Sequence, residues 1–552
     1  MSFLGIDLGT SQAKALLAAP DGTELGRGTA GYEISTPRDG WAETDPAQWW
    51  RAVRSAVRAA TGRAEVSAIA VAGQMHGLVL ISERHMVPVP AMLWLDRRAA
   101  AEAEAYRDLP GHLLSALGNA PSAGMAGPML MWLARHRPEA YDHARWQLQP
   151  KDWLRLRLTG EVATDPTDAS ATLLYDLTRD TWATDLADAL GLRTDLLPPI
   201  RRSTELAGHL LPEAAVELGL PPGIPVAIGA ADTAASLLAA DFPGAELPGD
   251  AELPGDERAL LTLGTGGQWV MPARSGARPD PSGRTGLFRA VDGSAYRIAS
   301  GQNIGVTLDW VRRMLQVTWD DLYAAAAPGA AAGSPPTFLP WLVAEKGHAS
   351  GGWTGVTLAH DREDLLRAAL TGVAGLLREL LGDLRAAQDG PGPAKVMLGG
   401  GGSRNQDWRD LLAGVLGVPL YPAGTPWLTA RGATLIAAGI GRHQLAHSPQ
   451  STEYPCIVLS RESWGRPPGC AAGPDGRDEL PVGVGRCRRC RRGRGRLRGP
   501  DCHPGVRAWR AGDRHDGYRD AQRQARAAVA GPEPILLAHA VAVAVSVAEP
   551  VP

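Results

Sequence analysis

The stretch that decides the fold is residues 4–11, which read Leu-Gly-Ile-Asp-Leu-Gly-Thr-Ser. An apolar run containing Asp7 ends there in a small Gly-Thr-Ser tip, and residues 13–17 (Ala-Lys-Ala-Leu-Leu) alternate as a second strand would. The pattern predicts a β-hairpin. Glycine permits a positive φ angle at the tip, and successive backbone N–H groups with the Thr10 hydroxyl offer donors to an anion, so a phosphate would fit there.

The same design recurs at residues 261–270, which read Leu-Thr-Leu-Gly-Thr-Gly-Gly-Gln-Trp-Val. A second apolar strand thus ends in a tip, formed by Gly264 and Thr265. One Gly-Thr turn is most often an ordinary hairpin turn, but two of them, each after an apolar strand, predict two facing halves with phosphate-binding tips. No stretch matches Gly-x-x-x-x-Gly-Lys-Ser/Thr, which disfavours a P-loop nucleotide enzyme.

Length and composition are typical of a globular protein with two or three domains. The chain has 552 residues, of which 44% are hydrophobic and 21% are charged. No window has the run of roughly 18 or more uncharged apolar residues that a membrane helix needs, and the N-terminus is predicted to be a folded strand rather than a signal peptide. We therefore expect no membrane partner and a cytoplasmic location.

Charge is unevenly distributed along the chain. The net charge is −3, yet the segment after Gln450 has 17 Arg, no Lys and 11 acidic residues, so the body is acidic. An acidic body gives no electrostatic footprint for nucleic acid, and no nucleic-acid partner is expected. All five cysteines also lie in this last segment, so residues 1–450 contain no cysteine and form no disulfide bonds.

A single carboxylate stands out in the first half of the chain. The strand predicted at residues 225–229 leads through two alanines to Asp232, at or just before the start of an alanine-rich helix. N-capping accounts for most aspartates at such positions. Here, however, small residues on both sides leave space for a ligand, and no Lys or Arg neighbours the carboxylate in sequence. This setting suits a general base.

Other polar groups follow predicted strands or lie on helices. Residues 73–77 (Gly-Gln-Met-His-Gly) come after a buried strand, where ligands sit in open α/β sheets. Core packing of Met75 and a satisfied turn position for His76 are the simpler interpretations of that pair. Residues 149–160 predict an amphipathic helix whose charges form a solvated face, with Asp152 as a candidate exception.

A glycine run follows the strand predicted at residues 395–398. It reads Gly-Gly-Gly-Gly-Ser-Arg-Asn over residues 399–405 and precedes a helix. An adenine or ribose could lie on such bare backbone, although a flexible turn is the alternative. The small-residue helix predicted at 429–439 is expected to pack behind that site.

The chain is predicted to divide into two domains and a tail. The N-terminal domain spans residues 1–242 with the catalytic aspartate, and the C-terminal domain spans 258–448 with the nucleotide site. Between them lies a linker rich in Pro, Gly and acids, with a perfect tandem repeat over residues 245–256. Residues 449–552 are rich in Arg, Gly, Pro and Cys and lack apolar periodicity, which favours a disordered or frame-shifted tail.

Six short motifs follow one another along residues 1–448. They are Asp-Leu-Gly-Thr-Ser at 7–11, Gly-Gln-Met-His-Gly at 73–77, Pro-Lys-Asp-Trp-Leu-Arg-Leu at 150–156, Asp-Thr-Ala-Ala at 232–235, Leu-Gly-Thr-Gly at 263–266 and Gly-Gly-Gly at 400–402. Their order is the one found in the FGGY carbohydrate kinases, and this part of the chain resembles that family. Each motif is weak alone, but the ordered set is highly specific. The resemblance implies an α/β fold with two actin-like, ribonuclease-H-like ATPase domains facing a central cleft.

The resemblance also implies a reaction and a set of site residues. The reaction is ATP-dependent phosphorylation of a ketopentose with Mg²⁺, and the Gln-Met-His-Gly form favours D-xylulose, converted to D-xylulose 5-phosphate. The implied roles are Asp232 as catalytic base, Asp7 as a catalytic residue near the metal of Mg-ATP, Met75 and His76 as sugar contacts, Thr10, Ser11, Gly264 and Thr265 as phosphate contacts, and Gly401, Gly402 and Asn405 as the nucleoside wall.

Two alternatives stay open at this point. One is a kinase of the same family for another sugar or polyol, such as ribulose or glycerol. The other is a non-catalytic sugar- or nucleotide-sensing protein, with the arginine-rich tail as a nucleic-acid arm. The expected partners are a small-molecule sugar and ATP, and the sequence leaves a homodimer open. The loop at residues 344–350 is shorter than its counterpart in the family.

Overall fold

We describe a computed structural model over residues 1–240, 258–327, 335–343, 350–388 and 392–446, with side chains up to residue 441. The predicted linker repeat with its domain boundary, the loop at 344–349 and the tail lie outside these residues.

The strands are β1 Phe3–Leu8, β2 Gln12–Ala18, β3 Glu24–Gly31, β4 Glu43–Thr44, β5 Ala68–Gly73, β6 Val79–Ser82, β7 Ala91–Met92, β8 Ala144–Leu148, β9 Tyr175–Asp176, β10 Thr181–Trp182, β11 Leu206–His209, β12 Pro225–Ala227, β13 Ala230–Ala231, β14 Arg258–Leu263, β15 Gly267–Pro272, β16 Gly286–Arg289, β17 Ala295–Gly301, β18 Thr337–Leu339, β19 Gly352–Thr354, β20 Lys395–Gly400 and β21 Leu420–Pro422.

The α-helices are α1 Pro46–Thr61, α2 Ala100–Ala105, α3 Gly111–Leu114, α4 Ala126–His136, α5 Pro138–Asp142, α6 Pro150–Thr159, α7 Pro166–Ala169, α8 Thr184–Ala189, α9 Pro212–Leu218, α10 Asp232–Ala240, α11 Gly305–Met314, α12 Trp319–Ala324, α13 Arg362–Gln388, α14 Gln406–Leu416 and α15 Leu428–Ala446. Within the described ranges, no helix combines the length and hydropathy needed to cross a membrane.

Two sheets that share a five-stranded pattern organise the described chain. In the first, β1, β2 and β3 form an antiparallel meander, and β5 and β12 add parallel to β1 in turn. In the second, β14, β15 and β17 form the meander, and β20 and β21 add parallel to β14. The two predicted hairpins, β1–β2 and β14–β15, are confirmed. The β14–β15 pair lies at the centre of its sheet, and in the first sheet β1 is one of the two central strands.

The first strand is buried along its whole length because helices cover both faces of its sheet. Helix α1 packs against β1, β2 and β3, and helix α15 packs against β1, β2 and β5. All six residues of β1 are buried as a result, including Asp7, which is 4% exposed. The sheet therefore holds a carboxylate in an apolar layer, at the strand end that precedes the tip.

Helices α10 and α15 lie between the two sheets and pack against each other. The contact is close enough to need glycine, because a Cβ atom on Gly432 would lie 1.9 Å from the carbonyl oxygen of Ala235. We expected α15 to pack behind the glycine run. Its first residue, Leu428, does contact Gly399, but the body of the helix packs on the first sheet, so that expectation is corrected. Small residues along α15 suit close packing against both neighbours.

Helix α6 contradicts the prediction of a solvated charged face. The side chains of Lys151, Asp152 and Arg155 have no solvent exposure, and they form ion pairs with one another. Arg157 is exposed as predicted. The charges can be buried because α6 packs against β5 and β12 and meets further carboxylates there.

Candidate active site

The end of β1 places Asp7 beside one cation. Asp7 is paired with Lys14 across the hairpin, and Lys14 Nζ lies 3.5 Å from Asp7 Oδ2. Burial raises the pKa of Asp7, and the positive charge of Lys14 opposes that shift. The carboxylate lies directly before the tip predicted to bind phosphate.

The tip at residues 9–11 is held by side chains from distant parts of the chain. The hydroxyl of Tyr32 donates to the carbonyl oxygen of Gly9, and the indole N–H of Trp94 donates to Thr10 Oγ1 over 2.9 Å. The Thr10 hydroxyl thus accepts one bond and keeps its proton for another acceptor. Ser11 is exposed. Nothing in the sequence indicated this role for Trp94, because Trp94 and Thr10 are 84 positions apart in the chain.

Asp232 is the first residue of α10 and is half-buried. Its Oδ1 accepts from the backbone N–H of Thr233 at 2.6 Å and from the Thr233 hydroxyl at 3.2 Å. No described residue forms an ion pair with it. Burial, and next the charge of Asp7, raise the pKa of Asp232 to about 7. The carboxyl can therefore exchange a proton near neutral pH, as a general base must.

The loop after β5 places Met75 and His76 next to the second half of the chain. His76 has a left-handed backbone (φ 70°), and its Nδ1 lies 2.8 Å from the carbonyl oxygen of Ala171. Burial lowers the pKa of His76, so the ring is neutral: Nδ1–H donates to that carbonyl and Nε2 is left as an acceptor. The His76 ring lies 6.0 Å from that of Phe288, and Met75 packs in the same apolar cluster as Phe288.

The second tip and the glycine run lie at the same end of the second sheet. Leu263 pairs with Gly400 between parallel strands β14 and β20, so Gly264 and Thr265 leave the sheet beside the glycine run. A Cβ atom on Gly402 would lie 3.1 Å from Leu263 Cβ. Gly264 and Thr265 are exposed. The structure thus brings together two motifs that are separated by more than 130 residues in the sequence.

Gly401 and Asn405 occupy different settings within the glycine run and its helix. A Cβ atom on Gly401 would meet no other atom within 4 Å, so this backbone faces open space. Asn405 is the N-cap of α14, and its side chain accepts from the backbone N–H of Trp408 over 3.0 Å. The side-chain oxygen of Asn405 therefore caps the helix, and its side-chain NH₂ group is the part that could contact a nucleoside.

Phe288 and Tyr296 are site neighbours that sequence reasoning missed. They stack on each other at 5.6 Å, on β16 and β17 of the second half. The Tyr296 hydroxyl is buried and has no hydrogen-bonding partner among the described residues. Burial raises the pKa of Tyr296, and Asp232 adds to the shift. No sequence signal marks these aromatics, because they meet the site only through the tertiary structure.

The carboxylates of the site suit a metal ion that binds together with a nucleotide. Among the described residues, they do not form a site in which side chains alone coordinate the metal. In the described part of the chain, no group of three or more His, Cys, Asp or Glu side chains could hold a metal ion. Mg²⁺ commonly uses one or two carboxylates together with substrate phosphates. Asp7, buried directly before the Gly-Thr-Ser tip, matches that simpler requirement.

Two family models cover most of the chain. Residues 2–239 match the N-terminal domain of the FGGY family of carbohydrate kinases, and residues 259–439 match the C-terminal domain of the same family.

Relatives and solved structures agree with these matches. The chain is 32% identical over 460 residues to the xylulose kinase of Escherichia coli (strain K12), covering 82% of this chain and 91% of the relative. It is similar to the crystal structure of a "xyloylose kinase" from Brucella ovis (TM-score 0.71, 31% identity, 80% and 91% of the two chains). It is also similar to a xylulose kinase from Rhodospirillum rubrum (TM-score 0.71, 29% identity, 80% and 90%). The predicted fold class is confirmed.

Proposed function

The chain belongs to the FGGY family of carbohydrate kinases, and from that membership we propose that it transfers the γ-phosphoryl group of ATP to D-xylulose, forming D-xylulose 5-phosphate. The similarity to xylulose kinases supports this choice of sugar. The observation that carries the proposal is Asp232, a carboxyl that is half-buried, forms no ion pair among the described residues and has a pKa raised to about 7.

Asp232 accepts the proton of the attacking sugar hydroxyl. A carboxylate whose pKa lies near the working pH is present in its basic form and still binds the proton firmly enough to help the attack. The backbone N–H of Thr233, 2.6 Å away, holds Oδ1 in place. The second carboxylate oxygen is then the one that faces the substrate hydroxyl.

The two tips bind the phosphates of ATP. Thr10 and Ser11 offer hydroxyl groups at the first tip, and Gly264 and Thr265 offer an exposed turn at the second. Asp7 and these phosphates would hold Mg²⁺, and the bound ion would supply positive charge for the transferred phosphoryl group. Gly401, Gly402 and Asn405 line the nucleoside, with the bare backbone of Gly401 facing it.

Met75 and His76 select the sugar. The neutral imidazole of His76 has its Nδ1–H occupied by the Ala171 carbonyl, so Nε2 accepts a hydrogen bond from a sugar hydroxyl. Met75 adds an apolar contact. A cytoplasmic location, a homodimer and the domain boundaries at 242 and 258 stay predictions.

The test is an ADP-release assay with the purified full chain, ATP and Mg²⁺ across D-xylulose, D-ribulose and glycerol. We expect the highest kcat/KM for D-xylulose, with the phosphate on the 5-hydroxyl when the product is examined by NMR. ADP release that is independent of any sugar would overturn the proposal. A higher kcat/KM for ribulose or glycerol would overturn the assignment of the sugar.

A further inference from the structure

A buried group of charges lies behind the candidate active site. Lys151 Nζ lies 2.6 Å from Asp152 Oδ1, 2.9 Å from Asp165 Oδ1 and 3.1 Å from Asp168 Oδ2, and all four side chains have no solvent exposure. Arg155 adds a second cation, 2.8 Å from Asp152 Oδ1. Charges buried so completely must stay paired, since removing one partner leaves another uncompensated. These ion pairs therefore anchor α7, with Asp165 before it and Asp168 in it, to helix α6.

Asp165 extends this anchor through its second oxygen. Asp165 Oδ2 accepts from the Thr167 hydroxyl at 2.6 Å, from the Thr167 backbone N–H at 3.1 Å and from the Ser203 hydroxyl at 2.6 Å. Because a hydroxyl has a single proton, the Thr167 hydroxyl can only accept in any further hydrogen bond. Its second partner is the backbone N–H of Ala231, at 2.8 Å.

Ala231 is the residue before Asp232, so this bond fixes the chain where the proposed base begins. The segment from Asp165 to Ala171, which includes Thr167, also forms hydrogen bonds with other parts of the site. The carbonyl oxygen of Ala171 accepts from His76, and the Ser170 hydroxyl accepts from the backbone N–H of Arg289 on β16. The anchored segment from Asp165 to Ala171 thus meets the base, the proposed sugar contact and the second domain.

We propose that Thr167 is a positioning residue for Asp232. Its hydroxyl donates to Asp165, which pairs with Lys151, and accepts from the backbone N–H of Ala231, so it fixes the backbone directly before the proposed base. This inference rests on the proposed function, because it concerns the geometry of the proposed base. Threonine suits the position because one hydroxyl must donate to a carboxylate and accept from an amide at the same time. Valine has nearly the same shape and can do neither.

The test compares kcat, the KM for ATP and the melting temperature of the wild type with those of Thr167→Val, Thr167→Ser and Thr285→Val. Thr285 is a matched control, since its buried hydroxyl also donates to an aspartate, Asp280, over 3.0 Å. We expect Thr167→Val to lower kcat about 10- to 100-fold through misplacement of the base, with the KM for ATP unchanged. Thr167→Ser should restore most of kcat, and Thr285→Val should lower the melting temperature but keep kcat.

The outcomes separate a positioning role from a purely structural one. If Thr167→Val and Thr285→Val lose similar stability and both keep kcat, the positioning role is overturned while the proposed function stands. Failure of Thr167→Ser to restore kcat would also overturn it. If the wild type phosphorylates no sugar, the proposed function and this inference fall together. Should the valine variant not fold, Thr167→Ala removes the same hydroxyl and carries the same expectation for kcat.

Discussion

Lys14 Nζ lies 3.5 Å from Asp7 Oδ2 across the β1–β2 hairpin, and within the described residues no cation forms such a pair with Asp232. The two carboxylates interact, since the charge of Asp7 contributes to the raised pKa of Asp232. One carboxylate thus has a cation that favours its ionised form against the effect of burial, as a group near a metal needs. The other is left to take up a proton, which is the division of roles that the proposed reaction needs.

The first prediction concerns the base. Asp232→Asn should lower kcat for D-xylulose by roughly 10² to 10⁴, the usual contribution of general-base assistance. ATP should still bind, as measured by isothermal titration calorimetry, because the tips are untouched. Asp185→Asn, at an exposed position that pairs with Arg179, is the control and should keep full activity. Near-normal turnover by Asp232→Asn would remove this residue from the mechanism.

The second prediction is a pH dependence of stability, measured without ATP or Mg²⁺. An unfolded aspartate titrates near about pH 3.9, whereas the folded pKa of Asp232 is raised to about 7. Ionised Asp232 therefore destabilises the fold fully above pH 7, and the penalty disappears below about pH 4. Asp232→Asn should melt at a higher temperature than the wild type at pH 8, by the equivalent of about 1–4 kcal/mol. This difference should vanish as the pH falls to about 4. A difference that does not vary with pH would contradict the raised pKa.

The third prediction concerns His76. His76→Ala should raise the KM for D-xylulose more than the KM for ATP, because a lost hydrogen bond to the sugar costs about 1 kcal/mol or more. His85→Ala is a matched control, since His85 also has a positive φ angle but lies in an exposed turn. Equal changes in both KM values would place His76 outside the sugar pocket.

The fourth prediction tests the nucleoside wall. Gly401→Ala adds a methyl group where the protein leaves open space, so the melting temperature should not fall. If the nucleoside lies on this backbone, the added methyl group should weaken ATP binding about tenfold or more, which corresponds to about 1.4 kcal/mol. Gly414→Ala, also in open space but within α14, should leave ATP binding unchanged. Unchanged ATP affinity in Gly401→Ala would move the nucleoside elsewhere.

Burial of the α6 charges illustrates a limit of sequence reasoning. Lys151 and Arg155 stand at spacings that also occur on a solvated helix face, and such a face was our prediction, with Asp152 as the candidate exception. Their actual environment depends on Asp165 and Asp168, which approach only after the chain has folded. Periodicity reports which residues share a face of a helix, but it does not report whether another element covers that face.

The sequence by itself determined the two hairpins, the strand-to-helix passage at Asp232 and the order of motifs that identified the family. Those features are local: alternating apolar residues, a small-residue tip and a helix start are encoded in neighbouring positions. Only the tertiary structure decided that Trp94 donates a hydrogen bond to Thr10, that Phe288 and Tyr296 stack beside the site and that Thr167 accepts a hydrogen bond from Ala231. Such contacts join residues far apart in the chain, and they form where two sheets and the helices between them pack, which no local pattern specifies.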